Sequence, residues 1–165
     1  LLSPMKKFQM AWGRYGRLIV LNVGKNQCSL SALARFSVII VNKKKLEIKL
    51  NHLPDKRLNP NNLRRQHWSV RHKATQEAKE EIGWLVKAAW RDGKPMTRAK
   101  ISYEFHIKDQ HRRDLTNLLG ACKAWEDGLV EVGVLYDDDT KHLEMGSVTP
   151  IPDTEDGTYI TVEEL

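Results

Sequence analysis

His111-Arg-Arg-Asp-Leu-Thr-Asn117 joins two segments of different period. Before it, Ile101, Tyr103, Phe105 and Ile107 alternate with Ser102, Glu104, His106 and Lys108, the pattern of a half-buried strand. After it, Leu115, Leu118, Cys122, Trp125, Leu129 and Val132 recur in steps of three and four. That is the seam of a helix running from Asp114 or Leu115 to about Val132. Thr116, Gly120, Lys123 and Asp127 share a neighbouring, wetter face, and Gly133 is placed to stop the helix. Asp114 therefore stands where a strand ends and a helix begins, behind two arginines.

Working outward, Leu46-Glu-Ile-Lys-Leu50 alternates and reads as a strand. A loop with two prolines follows, from Asn51 to about Gln66. Ser69 is placed to cap the next helix, whose apolar stripe is Ala74, Ala78, Ile82, Leu85 and Ala89. Trp84 and Trp90 read as packing residues rather than ligand stackers. Gly93 and Pro95 end that helix. Downstream, Lys141–Thr149 and Gly157–Glu163 read as strands around a turn that contains proline. The order β-α-β-α-β-β makes an α+β domain, a small mixed sheet packed by two helices.

Charge divides the chain at about residue 45. Nine of the 27 Lys/Arg lie in residues 1–45 with no acid among them, leaving 18 against all 21 acids in residues 46–165. Residues 1–45 are expected to be a basic extension, poorly ordered or preceding the true start. The domain is expected over 46–165. A basic arm on DNA backbone is the rival account of that segment. Within the domain, Asp55–Lys73 carries six Lys/Arg and one acid, while Glu126–Leu165 carries twelve acids and one lysine. A basic arm facing an acidic pocket suits a metal-assisted reaction on a polyanion. Two cysteines are too few for a disulfide framework, and no apolar run reaches the length of a membrane span. The expected setting is cytoplasmic.

The chemistry gathers at two stretches. Tyr136-Asp-Asp-Asp139 crowds three carboxylates, tolerable in full solvent or around a hard cation. Asp114 can join them only if the strand after the helix returns the chain beside it. Arg112 and Arg113 can grip a phosphate bidentately. Lys123 can stabilise a departing oxyanion, or simply pair with Asp127 at i,i+4. Asn62, Arg64, Arg65, His67 and Arg71 mix donors and cations in and after the proline loop, as backbone and base contacts require. Taken alone, that loop is equally an ordinary polar loop.

These blocks together resemble the RusA family of Holliday junction resolvases. The match spans roughly Leu46 to Leu165. It rests on Arg112-Arg-Asp-Leu-Thr-Asn117, on Lys123 followed by Asp127-Gly-Leu-Val-Glu-Val-Gly-Val-Leu-Tyr-Asp-Asp138, and on Asn62-Leu-Arg-Arg-Gln-His-Trp68. The resemblance implies a RusA-like fold and paired nicking of four-way, branched DNA by a homodimer, with no membrane. It implies Mg²⁺ as cofactor, with Mn²⁺ able to substitute. It assigns Asp114, Asp138 and Lys123 to catalysis, and Asp114, Asp137 and Asp138 to the metal. Two positions depart from the family pattern. Thr116 stands where a second carboxylate is expected, and Gly120 occupies the usual place of the lysine, which here falls at Lys123.

Overall fold

A computed structural model describes residues 10–12, 17–22, 36–42, 44–63, 65–87, 89–90, 93–109 and 113–165. Within 10–42 it describes backbone pairing and the side chain of Ile39. Arg64, His111, Arg112 and Cys28 lie outside the described residues.

The strands are β1 (Met10–Trp12), β2 (Arg17–Asn22), β3 (Phe36–Asn42), β4 (Lys45–Leu50), β5 (Ala99–Ile107), β6 (Leu143–Pro152) and β7 (Gly157–Glu164). The helices are α1 (Pro60–Leu63), α2 (Trp68–Lys87), α3 (Leu115–Ala121) and α4 (Lys123–Glu131), with a 3₁₀ turn at Lys56–Leu58. The fold is α+β, and from β4 onward the expected order β-α-β-α-β-β is present. The sheet runs β1-β2-β3-β4-β7-β5-β6, and it is mixed because β5 and β6 are parallel. A parallel pair needs a crossover, and α3 and α4 supply it. The sheet continues across the division drawn at residue 45: β3 pairs along β4, and Ile39 is fully buried.

One face of the sheet is the core. Leu46, Ile48 and Leu50 of β4, Ile101, Tyr103 and Phe105 of β5, and Ile160 and Val162 of β7 point into it. They meet Ala74, Ala78, Ile82 and Leu85 of α2 and Cys122, Trp125 and Leu129 of the crossover; the α2 stripe is buried as read, while Leu115, Leu118 and Val132 of the crossover seam are half-buried against the core. The backbones of α2 and α4 approach closely at Gly128, where an added Cβ would stand 3.2 Å from the Lys79 backbone. Lys79 then bridges outward to Glu131 at 2.5 Å and Asp127 at 3.6 Å.

Four local expectations are corrected. Helix α2 begins at Trp68, and the His67 ring accepts the Ser69 backbone N–H at 3.3 Å, so His67 rather than Ser69 takes the cap position. The α2 assignment ends at Lys87, before Gly93. The single crossover helix is broken at Cys122, whose N–H turns to the Leu119 carbonyl at 2.9 Å. Trp90 packs in the core, but Trp84 is 75 % exposed. Gly133 does end α4, at φ 76°, a left-handed conformation that side chains disfavour.

Candidate nucleic-acid and metal site

Asp114 folds where the sequence placed it, as the N-cap of α3. Its Oδ1 accepts the Thr116 backbone N–H at 2.9 Å, and its Oδ2 accepts the Asn117 amide at 3.0 Å. An Asp satisfies orphan helix N–H groups in this way and meets the positive end of the dipole. Arg113 beside it reaches back to Asp109 at 2.7 Å. Asp114, Arg113, Asn117, Asn59, Asn62 and Lys56 line one cavity of about 630 Å³. The proline loop and the start of the crossover thus form a common wall in which Lys56, Arg113 and three asparagines stand among three carboxylates, Asp55, Asp114 and Asp156. Arg65, His67 and Arg71 lie further along, all exposed. His67 also bonds the Ser69 hydroxyl at 2.7 Å, so it has a structural task.

The triple carboxylate lies elsewhere. Asp114 follows the C-terminal end of β5, whereas Asp137–Asp139 precede the N-terminal end of β6. Ala99 pairs with Leu143, and the Tyr136 N–H donates to the Met96 carbonyl at 3.1 Å. The two stretches thus flank one parallel strand pair, Asp114 after β5 and the Asp run before β6. The loop after α4 folds back onto the crossover, where Asp138 meets Lys123, nine residues beyond Asp114.

Each Asp of the run has its own partner. The Lys123 ammonium rests on the Asp138 carboxylate and also reaches Asp127 at 3.1 Å. The i,i+4 pair expected with Asp127 is present, and the contact with Asp138 is added to it. Asp137 accepts the Asp138 N–H at 2.7 Å. Asp139 accepts the Lys141 N–H at 2.8 Å and faces the His142 ring at 2.7 Å. The Lys141 backbone N–H, then the His142 ring, hold the Asp139 carboxyl below the usual carboxylate range. Asp137, Asp139 and His142 each offer an atom within 4.8 Å of the others, close enough to share an ion. Among the described residues Asp114 and Asp138 belong to no such group. Two carboxylates and an imidazole suit Mn²⁺ as well as Mg²⁺, because nitrogen is a softer donor. His142 was not singled out from the sequence, although its i,i+3 spacing from Asp139 was a signal.

The two departures from the family pattern also have local context. Thr116 is exposed and gives Asp114 a backbone N–H. At Gly120 an added Cβ would stand 2.5 Å from Cγ of Pro60. The α1 turn thus occupies the space where a lysine stem at position 120 would begin.

Beneath the acidic face, Tyr103 donates to Glu126 at 2.8 Å in full burial. Burial, then the Glu126 charge, push the Tyr103 hydroxyl well up, so it stays a donor. Cys122 is buried, and burial raises its thiol far above the ordinary range, which leaves it unreactive.

No protein-family model matches this chain, and no characterised protein matches it in sequence. Among solved structures it is similar to the periplasmic domain of Helicobacter pylori MotB (residues 90–256), at 12 % identity and a TM-score of 0.40, over 84 % of this chain and 86 % of that one. It is also similar to a putative translation initiation inhibitor from Salmonella typhimurium, at 10 % identity and a TM-score of 0.34, over 90 % of this chain and 97 % of that one. Likenesses this distant carry no functional argument. Among the described residues no helix is long and apolar enough to cross a membrane.

Proposed function

We propose that this protein is a RusA-like endodeoxyribonuclease that acts on branched DNA, nicking four-way junctions with Mg²⁺ or Mn²⁺ as a homodimer. The observation that carries this is the cavity around Asp114, where Arg113, Lys56, Asn59 and Asn62 converge. Cations and amides on loops are what a phosphodiester backbone would require, and the carboxylates Asp55, Asp114 and Asp156 beside them are what a bridging cation would require. Three blocks of sequence in the family's order add to it. Asp137, Asp139 and His142 would hold the ion, which when bound would polarise a phosphoryl oxygen and activate water. Lys123 would hold Asp138 in place and lend charge to a leaving oxygen. Arg113 would fix the phosphate.

The test is cleavage of a labelled mobile four-way junction by the protein, by Asp114→Asn and by Asp138→Asn. Equal cleavage of plain duplex would overturn the selectivity, and full activity in both variants would overturn the site.

A second function, junction binding with weak cleavage, is favoured by Thr116, which stands where the resemblance expects a carboxylate. Tight junction binding without cleavage in Mg²⁺ or Mn²⁺ would select it.

A further inference from the structure

Next to the Asp114 cavity lies a second one of about 650 Å³, and the two share Leu53 and Asp55 in their walls. Ala74, Ala78 and the buried Trp125 form its apolar side. Trp84 also lines it and is 75 % exposed. A large aromatic left in water at the rim of an apolar cavity marks a contact surface, and Trp68 and Val70 at the start of the same helix are exposed as well.

The charges of this cavity are already spent on one another. Arg57 pairs with Asp55 at 2.6 Å and with Glu77 at 2.5 Å. His52 bonds Glu81 at 2.7 Å. A metal cation would find no free carboxylate there, and a phosphate would meet three acids. What fits is a neutral, flat group that stacks on indole and carries its own donors and acceptors. The adjoining cavity also holds three acids, Asp55, Asp114 and Asp156, but unlike this one its lining includes a lysine and an arginine, Lys56 and Arg113, with the Asn59, Asn62 and Asn117 amides beside them.

We infer that the Trp84 cavity is a nucleobase subsite: it takes an unstacked base of the DNA strand whose phosphate lies at Asp114. The inference rests on the proposed action on DNA and deepens it. It predicts that the protein holds DNA partly by an extruded or single-stranded base, the situation found at the centre of a branch. Stacking of this kind tolerates any base, because every base presents a π face.

The experiment compares two fluorescein-labelled strands of equal length without divalent ion, one carrying bases and one abasic, by anisotropy. The protein is expected to prefer the base-bearing strand by about tenfold or more. Trp84→Ala should abolish that preference and leave abasic binding unchanged, and Trp84→Phe should restore most of it. Trp84 is exposed, so neither variant threatens the core. An unchanged preference in Trp84→Ala overturns the subsite. So does a shift from dimer to monomer in that variant with no change in preference, which would make the face a subunit contact. Junction cleavage alongside an unaltered preference overturns the subsite alone. A Trp84-dependent preference without any cleavage overturns the nuclease alone. Failure to bind either strand overturns both.

Discussion

The ammonium of Lys123 sits on the carboxylate of Asp138, tying the first turn of α4 to the run that follows it. A cation in that position holds the carboxylate in place and competes for it. Lys123→Ala is expected to raise Mn²⁺ affinity severalfold if Asp138 is a ligand, measured by calorimetry. The same variant should lower junction cleavage by about 10²-fold, the usual effect of losing one stabiliser of a developing oxyanion. Unchanged metal affinity would leave Asp138 a purely structural partner.

Thr116→Asp restores the carboxylate that the family pattern expects. Position 116 is exposed and lies in the first turn of α3, where a negative charge meets the positive end of the helix, so folding should be unaffected. Mg²⁺-dependent cleavage is expected to rise by about tenfold or more, a change in one metal ligand commonly having that size. No change would mean that the reaction does not use this position.

Gly120→Lys places the lysine where the family has it, against Pro60. Lysine is the better helix former, yet the collision with the α1 turn should dominate. A loss of about 1–3 kcal/mol is expected in urea unfolding, the range for forced overpacking. Equal or higher stability would show that α1 yields readily.

Tyr103→Phe removes the buried donor to Glu126 while keeping the ring. An unmatched buried acceptor costs about 1–3 kcal/mol, so the variant should unfold at lower denaturant with an unchanged slope.

His52 makes stability depend on pH. Its hydrogen bond to Glu81 holds the imidazole above its ordinary value of 6.5, outweighing burial, with the Asp55 charge adding a little. A folded value raised above the unfolded one gives stability that is complete below pH 6.5 and fades as pH rises through the folded value. The melting temperature of the protein relative to His52→Gln should therefore fall between neutral and alkaline pH. A difference that grew with pH would reverse the assignment.

Much of this was legible in the sequence wherever one face of an element is dry. Alternation at Ile101–Ile107 and the helical stripe at Ala74–Leu85 both follow from burial against the same core, and both are present. Asp114 was legible because strand exit and helix start are local events. The apolar runs Leu18–Leu21 and Val38–Val41 were not, because an unbroken run has no period and reads equally as strand or buried helix. The parallel direction of β6 was not legible either. It is set by how the crossover packs, and it decides which carboxylates meet. Trp84 misled for a related reason: an indole on a helix suggests burial unless the neighbouring surface is known.

The outer edge of the sheet has a consequence of its own. Strand β6 ends the sheet order, bonded to β5 on one side. Pro150 and Pro152 remove two amide hydrogens from its last stretch, leaving gaps that a further strand cannot read. Glu144 near its start is engaged by Arg98. The sheet is thereby given a terminus: copies of the chain are kept from stacking endlessly through this side.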